Sequence, residues 1–213
     1  WVDGGSSFAV TNPANNALLA DVADVGAAGA RQAIAAASKA FETWKKTSPF
    51  QRAALLMRWH QLIMENVDDL AALITLEMGK AYREAQGEVV YGASFIEWSA
   101  EEAKRIHGET LATPFPGTRG WTTRQPIGVV ACITPWNFPN AMITRKCAPA
   151  LAAGCTMVIK PAPETPLSAL ALAVLAERAG IPKGVFNVIC GDAAQLGPVM
   201  TEAPEVRMIG FTG

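Results

Sequence analysis

Excess charge of one sign, metal-ligand spacings and long apolar runs are all missing from this sequence, and each absence closes a class of function. Its 18 Lys and Arg against 19 Asp and Glu leave a net charge of −1. The basic residues are spread along the chain, so neither nucleic acid nor an anionic membrane surface is an expected partner. No apolar run approaches the roughly 18 residues of a spanning helix. The longest, Leu167 to Ala176, reads as a buried helix. Two histidines accompany four cysteines (Cys132, Cys147, Cys155 and Cys190) that show no C-x-x-C spacing. Neither a zinc site nor a disulfide framework is expected, and no metal is assigned. Three of the four thiols lie in or beside apolar segments, where free cysteine behaves as a small buried hydrophobe. A reducing cytoplasm fits that usage, and no secretory leader is expected at Trp1.

What is present is enough apolar material for a sizeable core, half of 213 residues. Phe8–Thr11 and Leu18–Val22 read as two short strands around the turn-rich Asn12 to Asn16. Alanine dominates from Gly26 to about Thr47, which predicts a helix. Ser48 and Pro49 open a second helix as cap and first-turn residue, running to about Asn66. Val67 to Met78 reads as a third helix closed by Gly79, and Tyr82 to Ile106 as a long fourth one. Composition changes at Gly108: Glu109 to Gln125 reads as a hairpin excursion, with Trp121–Arg124 as one strand. After Pro126 the pattern becomes strand–helix–strand. Strands are expected over Ile127–Ile133, Thr156–Ile159, Val185–Cys190 and Val206–Phe211, with helices over Asn140–Ala152, Pro166–Ala179 and Ala193–Thr201. Continuous apolar strands separated by helices predict a parallel α/β sheet covered on both faces.

Several residues stand where such a sheet offers groups to a ligand, at the carboxyl ends of its strands. Asn137, ahead of Phe138 and Pro139, suits an N-cap, the commoner role on spacing alone; its amide could instead donate to an oxygen that gains charge as a nucleophile adds to a carbonyl. Phe138, Met142 and Arg145 fall at i, i+4 and i+7 and so share a helical face. A guanidinium in an apolar stripe must find an anion or reach water: either a ligand carboxylate held bidentately or an internal ion pair. Lys160 ends a strand before Pro161, placed for ribose hydroxyls or phosphate, or else reaching solvent along its own stem. Gly191, Ala193 and Gly197 would let a helix start approach a nucleotide, although glycines at strand–helix turns are ordinary.

The run Ile133-Thr134-Pro135-Trp136-Asn137-Phe138-Pro139, followed by Gly154-Cys155-Thr156-Met157-Val158-Ile159-Lys160-Pro161, resembles the aldehyde dehydrogenase superfamily. Ala141-Met142-Ile143-Thr144-Arg145-Lys146 is similar to its succinate-semialdehyde branch. The resemblance extends from Thr11-Asn12-Pro13 to Phe211-Thr212-Gly213. It implies a Rossmann-type parallel sheet preceded by an N-terminal helical segment. Residues 1–108 and 126–213 would form a discontinuous coenzyme-binding domain, and 109–125 an oligomerisation hairpin of a homodimer or homotetramer.

The resemblance makes Asn137 the residue that holds the reacting oxygen. Arg145, Phe138 and Met142 become the substrate-binding group. Ile133, Thr134, Pro135, Trp136, Asn137, Lys160, Pro161, Ala162, Pro163, Ala193, Gly197, Phe211 and Gly213 become the cofactor-binding group. The family's nucleophilic cysteine and general-base glutamate lie beyond the matched stretch, so the catalytic domain is expected to be absent from these 213 residues and the chain alone inactive. Position 163 departs from the family: NAD-preferring relatives place a glutamate there, and Pro163 offers no side-chain hydrogen bond. NADP is therefore slightly favoured over NAD. The implied reaction is oxidation of succinate semialdehyde to succinate. The alternatives are another carboxylated aldehyde such as glutarate semialdehyde, or a non-catalytic nucleotide-binding or assembly module.

Overall fold

The computed structural model describes residues 4–213. Strands β1 (Ser6–Thr11) and β2 (Leu18–Asp24) pair antiparallel. Four helices follow: α1 (Gly26–Trp44), α2 (Pro49–Glu65), α3 (Val67–Met78) and α4 (Tyr82–Ala103). Their limits have local causes. Ser48 accepts from Gln51 N–H while Gln51 reaches back to Ser48 N–H, a full capping box ahead of Pro49. Gly79 ends α3 at φ +83°, a left-handed conformation that glycine adopts without a Cβ penalty.

Beyond α4 the hairpin strands β3 (Thr110–Leu111) and β4 (Gly120–Trp121) are two residues each. The strand expected at Trp121–Arg124 therefore shrinks and shifts. This excursion has no sheet beneath it to continue the ladder, and Thr122 N–H makes one last bond to Glu109 O. The chain then enters β5 (Val129–Ile133), α5 (Ala141–Ala152), β6 (Thr156–Lys160), α6 (Pro166–Arg178), β7 (Phe186–Val188), α7 (Ala193–Glu202) and β8 (Val206–Phe211). The sheet order is β7-β6-β5-β8, all parallel, as the strand–helix alternation requires. Among the described residues no helix is long and apolar enough to cross a membrane.

Strand alternation divides the core into two layers. Val130, Cys132, Met157 and Ile159 face α2, α4, α5 and α6. Val129, Ala131 and Val158 face α1 and α7 through Ile34, Leu196 and Met200. Buried tryptophans tie the helical segment to the sheet layer. Trp44 donates to Leu151 O at 3.3 Å and Trp59 to Leu172 O at 3.2 Å. Arg52 adds Nε to Ala152 O at 2.9 Å. Leu151 O and Ala152 O, in the last turn of α5, thus take side-chain donors from α1 and α2.

Candidate functional site

The carboxyl ends of β5, β6 and β8 are stitched into one edge. Thr134 N–H donates to Lys160 O at 3.1 Å and Thr212 N–H to Ile133 O at 3.2 Å. Ile133, Thr134, Lys160, Phe211 and Gly213 are therefore neighbours along the crevice of the sheet. Lys160 is only 3 % exposed, and its Nζ donates to Pro161 O. Burial lowers its pKa, opposed by Cys190, Glu164, Asp192 and Asp24 around it. Thr134 and Thr165 are equally buried, and neither hydroxyl has a hydrogen-bond partner among the described residues. Buried hydroxyls are rarely left so; these two and the lysine suit a polyhydroxylated ligand such as a nucleotide ribose.

Gly191, at φ +147°, closes this crevice against β2: a Cβ there would stand 2.2 Å from Asp24 Oδ1. Pro163 and Glu164 form the exposed turn between β6 and α6, while Pro161 and Ala162 are buried beneath it. On α7, Ala193 is exposed and Gly197 half-buried, and Phe211 stands open at the end of β8.

The second cluster lies ahead of and along α5. Pro135 is half-buried, and Trp136, Asn137 and Phe138 form an exposed bend. Asn137 does not cap the helix, which corrects the helix-start reading. Position 140 occupies the N-cap instead, and even there the asparagine side chain makes no cap bond. The capping acceptor comes from α4, where Glu88 Oε1 takes the N–H groups of Asn140 at 2.9 Å and Ala141 at 3.2 Å. A buried carboxylate complements a helix N-terminus better than an amide does, and it leaves the Asn137 side chain uncommitted.

Phe138 also precedes the helix instead of lying within it, so Met142 and Arg145 alone share the α5 face. Arg145 is exposed, with its guanidinium carbon 5.5 Å from the Phe95 ring centre. No carboxylate among the described residues pairs with it. The internal ion pair, the rival reading for this residue, is not made.

The α4 contribution was missed in the sequence. Tyr91, Phe95 and Trp98 fall at i, i+4 and i+7 on the side of α4 opposite its core residues Val89, Ala93 and Ile96. Tyr91 and Phe95 meet edge to face at 4.7 Å. An aromatic stripe outside the core face of a helix was the available signal. Lys80 and Glu88 carried no such signal.

The cysteines supply no accessible nucleophile. All four are buried. Burial pushes Cys132 up to about 11, Cys190 up to about 12 and Cys147 well above the usual range, so these thiols stay protonated at neutral pH. A cavity of about 720 Å³ opens at the β7 edge between β2, α1 and α6, bordered by Asp21, Leu170 and Lys183. Of the residues singled out above, Cys190 borders it, whereas Asn137, Arg145 and Lys160 do not.

A parallel sheet with a polar crevice at its carboxyl edge, and an amide-bearing turn over the next helix, defines a Rossmann-like unit. The chain belongs to the aldehyde dehydrogenase family, whose family model matches residues 1–213. It is 57 % identical to the 3-sulfolactaldehyde dehydrogenase of Pseudomonas putida, over all of this chain and 44 % of that one. It is 56 % identical to a glutarate-semialdehyde dehydrogenase of Pseudomonas aeruginosa and 55 % to the NADP(+) succinate-semialdehyde dehydrogenase of Escherichia coli, which it covers to 44 % and 45 %. The crystal structure of an E. coli NADP-dependent enzyme superposes with a TM-score of 0.99 at 55 % identity, over all of this chain and 45 % of that one. The chain thus spans a little under half the length of the relatives it matches.

Proposed function

We propose that this chain is the coenzyme-binding portion of an NAD(P)-dependent dehydrogenase for short aldehydes carrying a distal anion, with succinate semialdehyde as the leading substrate. Arg145 carries the reading. It is a guanidinium without a carboxylate partner among the described residues, on the helix that follows Asn137. The matched relatives are named for aldehydes ending in a carboxylate or a sulfonate. Both are oxyanions, one planar and one tetrahedral, that present a pair of oxygens to the parallel N–H donors of a guanidinium. Arg145 selects the anion and not the length of the chain, so glutarate semialdehyde falls within the same class.

In this reading the Asn137 amide donates to the aldehyde oxygen as a thiolate adds and negative charge develops there. Phe138 and Met142 enclose the methylene chain, and Arg145 holds the far end. Thr134, Lys160 and the 161–165 turn bind the dinucleotide's ribose, aided by Ile133, Pro135, Trp136, Ala193, Gly197, Phe211 and Gly213 along the same edge. When bound, the dinucleotide supplies the two-electron acceptor. Because the four thiols are buried, the attacking thiolate is assigned to the part of the family's length that residues 1–213 do not match.

Residues 1–108 and 126–213 form the coenzyme-binding unit, and 109–125 the contact to a second subunit. The exposed Phe115 and Trp121 of that hairpin support the latter. The test is a pair of four-carbon aldehydes, succinate semialdehyde and butanal, given to an enzyme of the family's full length carrying this chain. kcat/KM is expected to favour succinate semialdehyde by about 30-fold or more, the ratio that roughly 2 kcal/mol of charge pairing produces. Equal values would sink the substrate assignment.

A further inference from the structure

The turn that presents Asn137 is gripped by one buried ion pair. Glu88 uses Oε1 for the N–H groups of Asn140 and Ala141, and Oε2 for Lys80 Nζ. The two side chains are 1 % and 9 % exposed. Lys80 Nζ also donates to Asn137 O at 3.0 Å and stands 3.8 Å above the centre of the Phe138 ring. The pair therefore touches the backbone of Asn137, the ring of Phe138 and the first two amides of α5.

Burying two charges is costly, and a well-packed apolar pair would join α4 to α5 at least as well. An apolar pair could not, however, fix the Asn137 carbonyl. That residue lies in a bend outside any helix or strand, where no ladder of backbone hydrogen bonds sets its φ and ψ. Bonding its carbonyl on one side and pinning the Phe138 ring on the other fixes the peptide between them, and with it the direction of the Asn137 side chain.

We propose that Lys80 and Glu88 are positioning residues, which aim the Asn137 amide and the Phe138 ring at the aldehyde. The inference rests on the oxyanion role given to Asn137 above. It assigns to the α3–α4 junction a part in catalysis that no contact with substrate would reveal.

The test uses an enzyme of the family's full length carrying this chain. Lys80→Met together with Glu88→Gln leaves no uncompensated charge, and the glutamine oxygen still accepts from the α5 amides. On the wild-type background this double change is expected to lower kcat on the order of 10- to 100-fold, as misplacing a reacting group by about 1 Å does. Dinucleotide Kd, read by fluorescence, is expected to stay within about twofold, since the crevice at Lys160 is untouched.

On an Asn137→Ala background, itself expected to cost about 10²-fold or more, the same double change is expected to cost less than about threefold further, because residues acting through one group are not additive. An equal loss on both backgrounds, or no loss on the wild-type one, would overturn the positioning role. Asn137→Ala leaving kcat unchanged would instead sink the oxyanion reading and this inference with it.

Lys80→Arg keeps the charge against Glu88 and serves if the double variant does not fold. Its longer, planar head no longer suits the Asn137 carbonyl. A fall in kcat confined to the Asn137-containing background is expected, and a fall of equal size on both would again overturn the role.

Discussion

Glu77 of α3 accepts the backbone N–H of Leu167 at 2.7 Å and that of Ser168 at 2.9 Å, closing the first turn of α6 with a buried carboxylate. Burial raises its pKa to about 7, against the opposing pull of Ser168 and Leu167. A carboxyl whose folded pKa lies above its unfolded value of 4.5 binds more protons folded than unfolded. Its contribution is fully present below pH 4.5 and is lost as pH rises through about 7.

Stability is therefore expected to fall between pH 5 and 8 by about 3 kcal/mol from this group, because each pH decade between the unfolded and folded pKa values removes about 1.4 kcal/mol. Glu77→Gln is less stable at pH 5, having lost one acceptor, but should show a flatter profile across that window. Denaturant midpoints of the two proteins at matched pH values check this. Parallel profiles would refute it.

Two glycines of α4 should respond in opposite directions. Around Gly87 a new Cβ meets nothing within 4 Å, so Gly87→Ala should gain about 1 kcal/mol of helix propensity. At Gly92 the Cβ would stand 2.5 Å from Asn140 Oδ1 and 3.3 Å from Ala141 Cα. Overpacking costs about 1–3 kcal/mol, more than the propensity gain, because Asn140 is fully buried and cannot swing away. Thermal midpoints should rise for Gly87→Ala and fall for Gly92→Ala by a few degrees each. A rise for both would mean that α4 and α5 can slide apart.

The contrast between local and distant causes also explains what the sequence disclosed. Ser48-Pro49 and Gly79 act on residues beside them, so α2 began and α3 ended where the sequence placed them. The parallel sheet followed from apolar runs alternating with helices. The start of α5 near Asn140 was legible, but its capping acceptor, Glu88, comes from 52 residues upstream. No local pattern announces such a partner. Phe138 was likewise assigned to the helical face, yet Lys80 holds it in the turn ahead of the helix. The partnerless state of Arg145 could be posed as a question from its apolar stripe but answered only in three dimensions.

Pro163, the position proposed to set cofactor choice, sits in an exposed turn at the crevice with Glu164 beside it. Pro163→Glu should restore a carboxylate able to accept from both adenosine-ribose hydroxyls, while repelling a 2′-phosphate. Like charges brought together cost several kcal/mol, so KM for NADP should rise at least about tenfold with KM for NAD unchanged or lower. The measurement is initial-rate kinetics with both dinucleotides. An unaltered ratio would mean that Glu164, and not position 163, faces the ribose.

Arg145→Met gives the most direct separation of substrate binding from architecture. The guanidinium leans on Phe95 at 5.5 Å and has no ion pair among the described residues, so its removal strands no buried carboxylate. Methionine preserves the length and apolar stem, and the cation–π contact at an exposed site is worth only about 0.5–1 kcal/mol. The melting temperature should therefore shift little. The loss falls on the anionic substrate: kcat/KM for succinate semialdehyde is expected to drop by about 2–5 kcal/mol in transition-state stabilisation, typical of truncating one partner of a desolvated charge pair. Butanal offers the same four carbons without the carboxylate, and its kcat/KM should stay the same or rise as the entrance becomes more apolar. Equal losses for the two aldehydes would show that Arg145 serves the fold and not the substrate.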